Sequence, residues 1–126
     1  MPKQVPTGPD LEPGSLPFSP VVEANGFVFV AGQVGAEPGG HEPVPGGIRD
    51  ETRQMLENVG RLLRAVGLDF QDAVRATVYL RDMDEFGQMN EVYREYFPTE
   101  PPARATVGVA RLFGEYRVEI EITAAR

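Results

Sequence analysis

Between Ile48 and Val66 the apolar side of the chain recurs every three or four residues. Ile48, Thr52, Met55, Leu56, Val59, Leu62, Leu63 and Val66 fall on one stripe, the period of a helix buried along one side. Asp50 and Glu51 sit at its positive end, and Gly67 is placed to close it in a left-handed conformation. A second stripe, Phe86, Met89, Tyr93 and Phe97, predicts another helix, stopped by Pro98. Asp82 and Glu85 before it have the spacing of a capping box. Elsewhere the period is two. Val21–Ala24 and Phe27–Ala31 flank Asn25-Gly26, the strongest short signal for a hairpin. Residues 73–80 read as a further strand. Residues 103–110 and 116–124 read as two more, joined by a turn around Phe113-Gly114-Glu115. The order is β-β-α-β-α-β-β, an α+β fold in one domain. Two amphipathic helices can cover only one face of such a sheet, so the other face is expected to meet water or another subunit.

Composition narrows the function. The chain has 126 residues, a modest core for which assembly would add burial. Six of its twelve prolines lie in residues 1–20, which should form an extended arm. A formal net charge of −7 argues against a general nucleic-acid surface, because phosphates need a basic footprint. There is no cysteine, which removes disulfides and thiolate catalysis. The one histidine, His41, sits in a Gly/Pro-rich loop and is poor material for a metal site or a Ser-His-Asp set; no metal and no cofactor are expected. No apolar run approaches a membrane span and no secretory signal opens the chain, so a cytoplasmic location is expected.

Four places carry polar groups that a purely structural plan does not need. Alternation puts Arg104 on a strand face with Thr106, Gly108 and Ala110, a long cation among small side chains. A guanidinium so placed could hold a carboxylate through two parallel hydrogen bonds, although a solvated sheet arginine is the commoner explanation of such spacing. Glu119 alternates away from Val118, Ile120 and Ile122 and could orient a water or move a proton; Glu121 shares its face, and periodicity does not separate the two. Asn90 lies on or beside the apolar stripe of the second helix, where its amide could fix a loop or touch a ligand. Gly32, followed by Gln33, would allow close backbone approach at the end of its strand, or simply terminate it.

Taken in series, Phe18-Ser19-Pro20, Phe29-Val30-Ala31-Gly32-Gln33, Glu51-Thr52 through Leu56-Glu57-Asn58, Val78-Tyr79-Leu80-Arg81-Asp82-Met83, Asn90-Glu91-Val92-Tyr93, Pro102-Ala103-Arg104 and Val118-Glu119-Ile120 resemble the RidA/YjgF family in order and spacing. The resemblance implies a chorismate-mutase-like mixed sheet with two helices on one face. It implies a homotrimer around a central barrel, with active sites in clefts between subunits. The implied activity is hydrolysis of reactive enamines and imines, such as 2-aminoacrylate and 2-iminobutanoate, to 2-keto acids and ammonia. On the matching positions Arg104 would bind the substrate carboxylate and Glu119 would position water, with Phe18, Gly32, Asn90 and Thr106 lining the pocket. Phe18 stands where active members have tyrosine, Ala31 replaces a serine, and Thr106 occupies a position that is often cysteine. A non-catalytic trimer that binds small carboxylates is the main alternative. An endoribonuclease or translation-inhibitor role, described for some members, is a second one.

Overall fold

Asn25 and Gly26 both take positive φ, 52° and 80°, the left-handed pair that a two-residue hairpin requires. In the computed structural model, which describes residues 2–126, they join strand β1 (Val21–Ala24) to strand β2 (Phe27–Val34), with Val21 opposite Val30 and Ala24 opposite Phe27. β2 runs on to Val34 rather than stopping at Ala31. Its register with the last strand slips between Val30 and Gln33, a bulge that bends the strand through Gly32 without ending its pairing.

Helix α1 (Ile48–Ala65) follows the predicted stripe, and Met55, Leu56, Val59 and Leu63 are fully buried. Gly67, at φ 81°, ends it. Leu68 N–H donates to Leu63 O and Gly67 N–H to Arg64 O, the paired bonds of a Schellman closure. Strand β3 (Ala73–Leu80) leads to helix α2 (Phe86–Tyr96) and strand β4 (Ala103–Gly108); strand β5 (Val118–Ala125) completes the sheet. The expected capping box forms only in half: Asp82 accepts from Asp84 N–H, while the Glu85 carboxylate turns to Arg117.

The sheet order is β1-β2-β5-β3-β4. The last two strands, expected to be joined by a turn, are therefore not paired with each other; the first is shorter than 103–110 and the second lies later than 116–124. α2 carries the chain back across the sheet, so β4 lies parallel to β3, at the edge. β5 enters between β2 and β3, antiparallel to both. Its inward residues Val118, Ile120, Ile122 and Ala124 are at most 2% exposed, which suits a central strand; β4, with one arginine among small residues, suits an edge.

Both helices lie on one face, over a core built from α1, α2 and the inward side of β2, β3 and β5. The opposite face has no layer of its own. Phe27, Phe29 and Val107 remain 45%, 44% and 41% exposed there. Among the described residues no helix is long and apolar enough to cross a membrane.

Candidate functional site

Glu119 stands on the uncovered face of β5, opposite Val34 of β2 and Tyr79 of β3. The β2 bulge brings Gly32 against it. A Cβ at Gly32 would lie 3.2 Å from Glu119 Cδ and overlap its Oε2. Only glycine leaves the carboxylate where it is. Burial pushes the Glu119 carboxyl above its ordinary value, and the Glu121 charge adds to the rise. The two carboxylates that periodicity left equivalent are distinct in the fold. Tyr79 donates its hydroxyl to Glu121 Oε1 at 2.7 Å, whereas no protein hydrogen bond occupies the Glu119 carboxylate among the described residues.

α1 supports this corner from behind. Glu51, 1% exposed, accepts the Arg117 N–H at 2.6 Å, two residues before Glu119. Asn58 donates to Val34 O and Ala36 O at 3.0 and 2.8 Å, just after the bulge. Gly35 lets α1 come close: a Cβ there would sit 2.9 Å from the Glu51 carbonyl carbon. The sequence reading missed both roles. A signal was present, since Glu51, Met55, Asn58 and Leu62 recur at helical spacing on the apolar side.

Arg104 pairs in register with Ala76, and Thr106 with Val78. Both partners face the helix-covered core, so Arg104 lies on the α2 side of the edge strand. Its guanidinium rests over the Tyr93 ring at 4.5 Å and 5.7 Å from the Phe86 centroid. Among the described residues it makes no ion pair. Asn90, half-buried, lies on α2 between Phe86 and Tyr93. Thr106 Oγ1 and the Tyr93 hydroxyl are buried without hydrogen-bond partners among the described residues. Burial raises the Tyr93 phenol, with Arg104 opposing the shift.

The predicted residues thus form two groups rather than one. Gly32 and Glu119 share the open face; Arg104, Asn90 and Thr106 share the α2 side, with β3 between Arg104 and Glu119 in the sheet. Alternation within each strand gave the faces but not how the strands are turned relative to one another. Phe18 is 52% exposed on the arm just before β1, where Pro20 O accepts the Ala31 N–H and holds the arm beside the bulge. His41 is exposed in its loop. Among the described residues no cluster of three or more His, Cys, Asp or Glu could hold a metal ion.

Comparison with known proteins agrees with this architecture. The family model described as Endoribonuclease L-PSP matches residues 11–126. A RutC family protein of Pyrococcus horikoshii is 46% identical over 108 residues, 86% of each chain. The mouse 2-iminobutanoate/2-iminopropanoate deaminase is 44% identical over 110 residues, 87% of this chain and 82% of that protein. The crystal structure of E. coli TdcF with bound serine superposes with a TM-score of 0.84 at 35% identity, covering 93% of this chain and 94% of that one.

Proposed function

The chain belongs to the endoribonuclease L-PSP family, the RidA/YjgF family of the sequence resemblance, and from that premise we propose that it hydrolyses small 2-imino acids to 2-keto acids and ammonia. The observation that carries the reading is Arg104: a guanidinium resting over an aromatic ring, 4.5 Å from its centroid, on a strand of small residues, with no ion pair to a carboxylate among the described residues. Its fork is free for a ligand carboxylate. The mouse relative is named for 2-iminobutanoate and 2-iminopropanoate, and TdcF holds serine; each of these ligands carries one carboxylate beside the carbon bearing nitrogen.

Imine hydrolysis asks little more of the protein. The imine carbon is already electrophilic, so water needs orientation and a base. Glu119 takes a proton from the water that adds to this carbon. That proton passes to the imine nitrogen, giving a neutral carbinolamine; its hydroxyl then loses a proton to Glu119, which delivers it to nitrogen as the C–N bond breaks and C=O forms, releasing ammonia and the 2-keto acid. An enamine such as 2-aminoacrylate enters after tautomerising to the imine. Because Arg104 and Glu119 lie on opposite faces of one sheet, a single small ligand meets both only if it sits between two copies. A trimer, as the family resemblance implies, would supply such a junction where the edge strand β4 of one copy meets the uncovered face of the next.

The test is keto-acid and ammonia release from 2-aminoacrylate generated in situ, with spontaneous hydrolysis followed separately. Wild type should accelerate release, and Arg104→Ala and Glu119→Gln should each lose it. A charge-assisted bond contributes about 1.5–3 kcal/mol, so removing Arg104 should lower kcat/KM at least about tenfold. Co-refolding the two inactive variants in equal amounts should restore activity at about a quarter of the sites, those that take Arg104 from one copy and Glu119 from the other. Binding of pyruvate without any turnover would make the protein a carboxylate binder instead. Recovery of no activity in the mixture would place both residues of a site on one copy.

A further inference from the structure

Most arginines elsewhere in this molecule pair with acids, although Arg75, Arg94 and Arg111 make no such pair among the described residues. Arg49 pairs with Glu91 at 2.6 Å, Arg53 with Glu95 at 2.8 Å, and Arg117 with Glu85 at 2.7 Å. Arg104 has no such partner, yet it must hold its plane if it is to take a carboxylate through two bonds. What it has is a ring. Tyr93 is 5% exposed and is itself clamped from behind: its ring lies 4.6 Å from Phe97, which meets Phe70 edge-on at 5.4 Å and 90°. The guanidinium therefore rests on the outer member of a stack anchored in the core.

Using a ring in place of an acid has a chemical consequence. An aspartate at this position would fix the guanidinium equally well, but it would neutralise the cation and occupy the fork. An aromatic face attracts the cation through its quadrupole without neutralising it. Orientation and unspent charge are obtained together. The buried, unpartnered Tyr93 hydroxyl adds no competing anion.

We propose that Tyr93 is the positioning residue of Arg104, its ring fixing the plane in which the guanidinium meets the ligand carboxylate. The inference rests on the reading of Arg104 as the carboxylate anchor and adds a residue that acts through it. Phe86, farther from the guanidinium at 5.7 Å, is the lesser support.

Two measurements test it. The first needs no ligand: in wild type the Arg104 Nε–H proton should be shifted upfield by the Tyr93 ring current. An ordinary arginine shift would overturn the proposal. The second is calorimetric titration of wild type, Tyr93→Phe and Tyr93→Leu with pyruvate, each checked for fold and mass. Tyr93→Leu should weaken pyruvate binding about tenfold, the scale of a partly desolvated cation–π contact, and raise KM while kcat at saturation changes much less. Tyr93→Phe keeps the ring and should rescue affinity to within about twofold. A folded Tyr93→Leu protein with wild-type affinity would overturn the proposal. So would equal losses in the Phe and Leu variants, which would assign the effect to the hydroxyl. A wild type that turns over imines but binds with no contribution from Arg104 would remove the underlying reading instead, and this inference with it.

Discussion

On the proposed reading, Gly32→Ala should separate the chemistry of this site from its stability. Gly32 does not occupy the left-handed region, so alanine brings no backbone strain of its own; the substitution adds one methyl group and nothing else. That methyl would stand 3.2 Å from Glu119 Cδ and 3.6 Å from its Cγ, and would overlap Oε2. Carbon atoms prefer about 3.5–4.0 Å, so the carboxylate must move by roughly 1 Å. It can do so cheaply, because what is displaced is the end of a side chain on an open sheet face. Stability should therefore change by less than about 1 kcal/mol, with reduced unfolded-state entropy partly offsetting the crowding. Catalysis should not be spared. A misplacement of about 1 Å can cost about 10²-fold, and kcat should fall accordingly, while pyruvate affinity, held by Arg104, stays close to wild type. Gly35→Ala is the contrasting control. Its methyl would meet Glu51 backbone, 2.9 Å from the carbonyl carbon, so α1 itself must yield, and the cost of overpacking, about 1–3 kcal/mol, should appear as lost stability. The assay is kcat from ammonia release, pyruvate Kd by calorimetry and Tm by scanning calorimetry. Unchanged kcat in Gly32→Ala, with the methyl seen in place, would refute the assignment of the Glu119 carboxylate to the reaction.

Glu121→Gln should move the acid limb of the kcat profile to lower pH, because Glu119 then loses a like charge while burial continues to raise it; a limb that stays put would show that Glu121 does not act on Glu119. Burial also raises the Glu51 carboxyl, so its favourable contribution is full below the unfolded value and is lost as pH rises through the folded one. Glu51→Gln keeps an acceptor for Arg117 N–H without that charge. The Tm difference between Gln and wild type should therefore grow in favour of Gln as pH rises through that window; a difference independent of pH would count against it. Glu51→Leu orphans the same N–H and should cost about 1–3 kcal/mol by urea unfolding. Asn58→Ala strips the donors from Val34 O and Ala36 O and should cost a similar amount, about 1–3 kcal/mol, in the same assay.

What the sequence made legible follows the range of the interactions involved. Helix α1, the Asn25-Gly26 turn and the Gly67 closure depend on neighbours within a few residues, and their patterns translate directly. The faces of β5 were equally clear, because alternation is local. Strand order was not: β4 and β5 are consecutive, but β3 lies between them, and only the crossover through α2 explains why. The same gap hid the geometry of the site. Arg104 and Glu119 each read as the polar exception on a strand face, yet nothing along the chain says that one strand shows that face to the helices and the other to the outside. Glu121 could be told from Glu119 only once Tyr79, from another strand, was seen to occupy it.

The departures from the family pattern gain meaning from this division. Ala31, in place of serine, lies at the β2 bulge next to Gly32. Phe18, in place of tyrosine, lies on the arm that Pro20 fastens to Ala31 through its carbonyl. On the proposed reading, the two hydroxyls that the family resemblance implies would both lie at the end of the site that holds Glu119. At the other end Arg104 keeps its ring support, and Thr106 keeps a polar atom with no protein partner. On the proposed reading, carboxylate recognition is unaltered while the group that manages the proton has fewer polar neighbours. Fewer donors around a half-buried carboxylate disfavour its charged form, which acts in the same direction as the burial that already raises Glu119. Restoring the two hydroxyls through Ala31→Ser and Phe18→Tyr should then affect turnover and its pH dependence rather than pyruvate affinity, because the two ends of the site are built on opposite faces of the sheet.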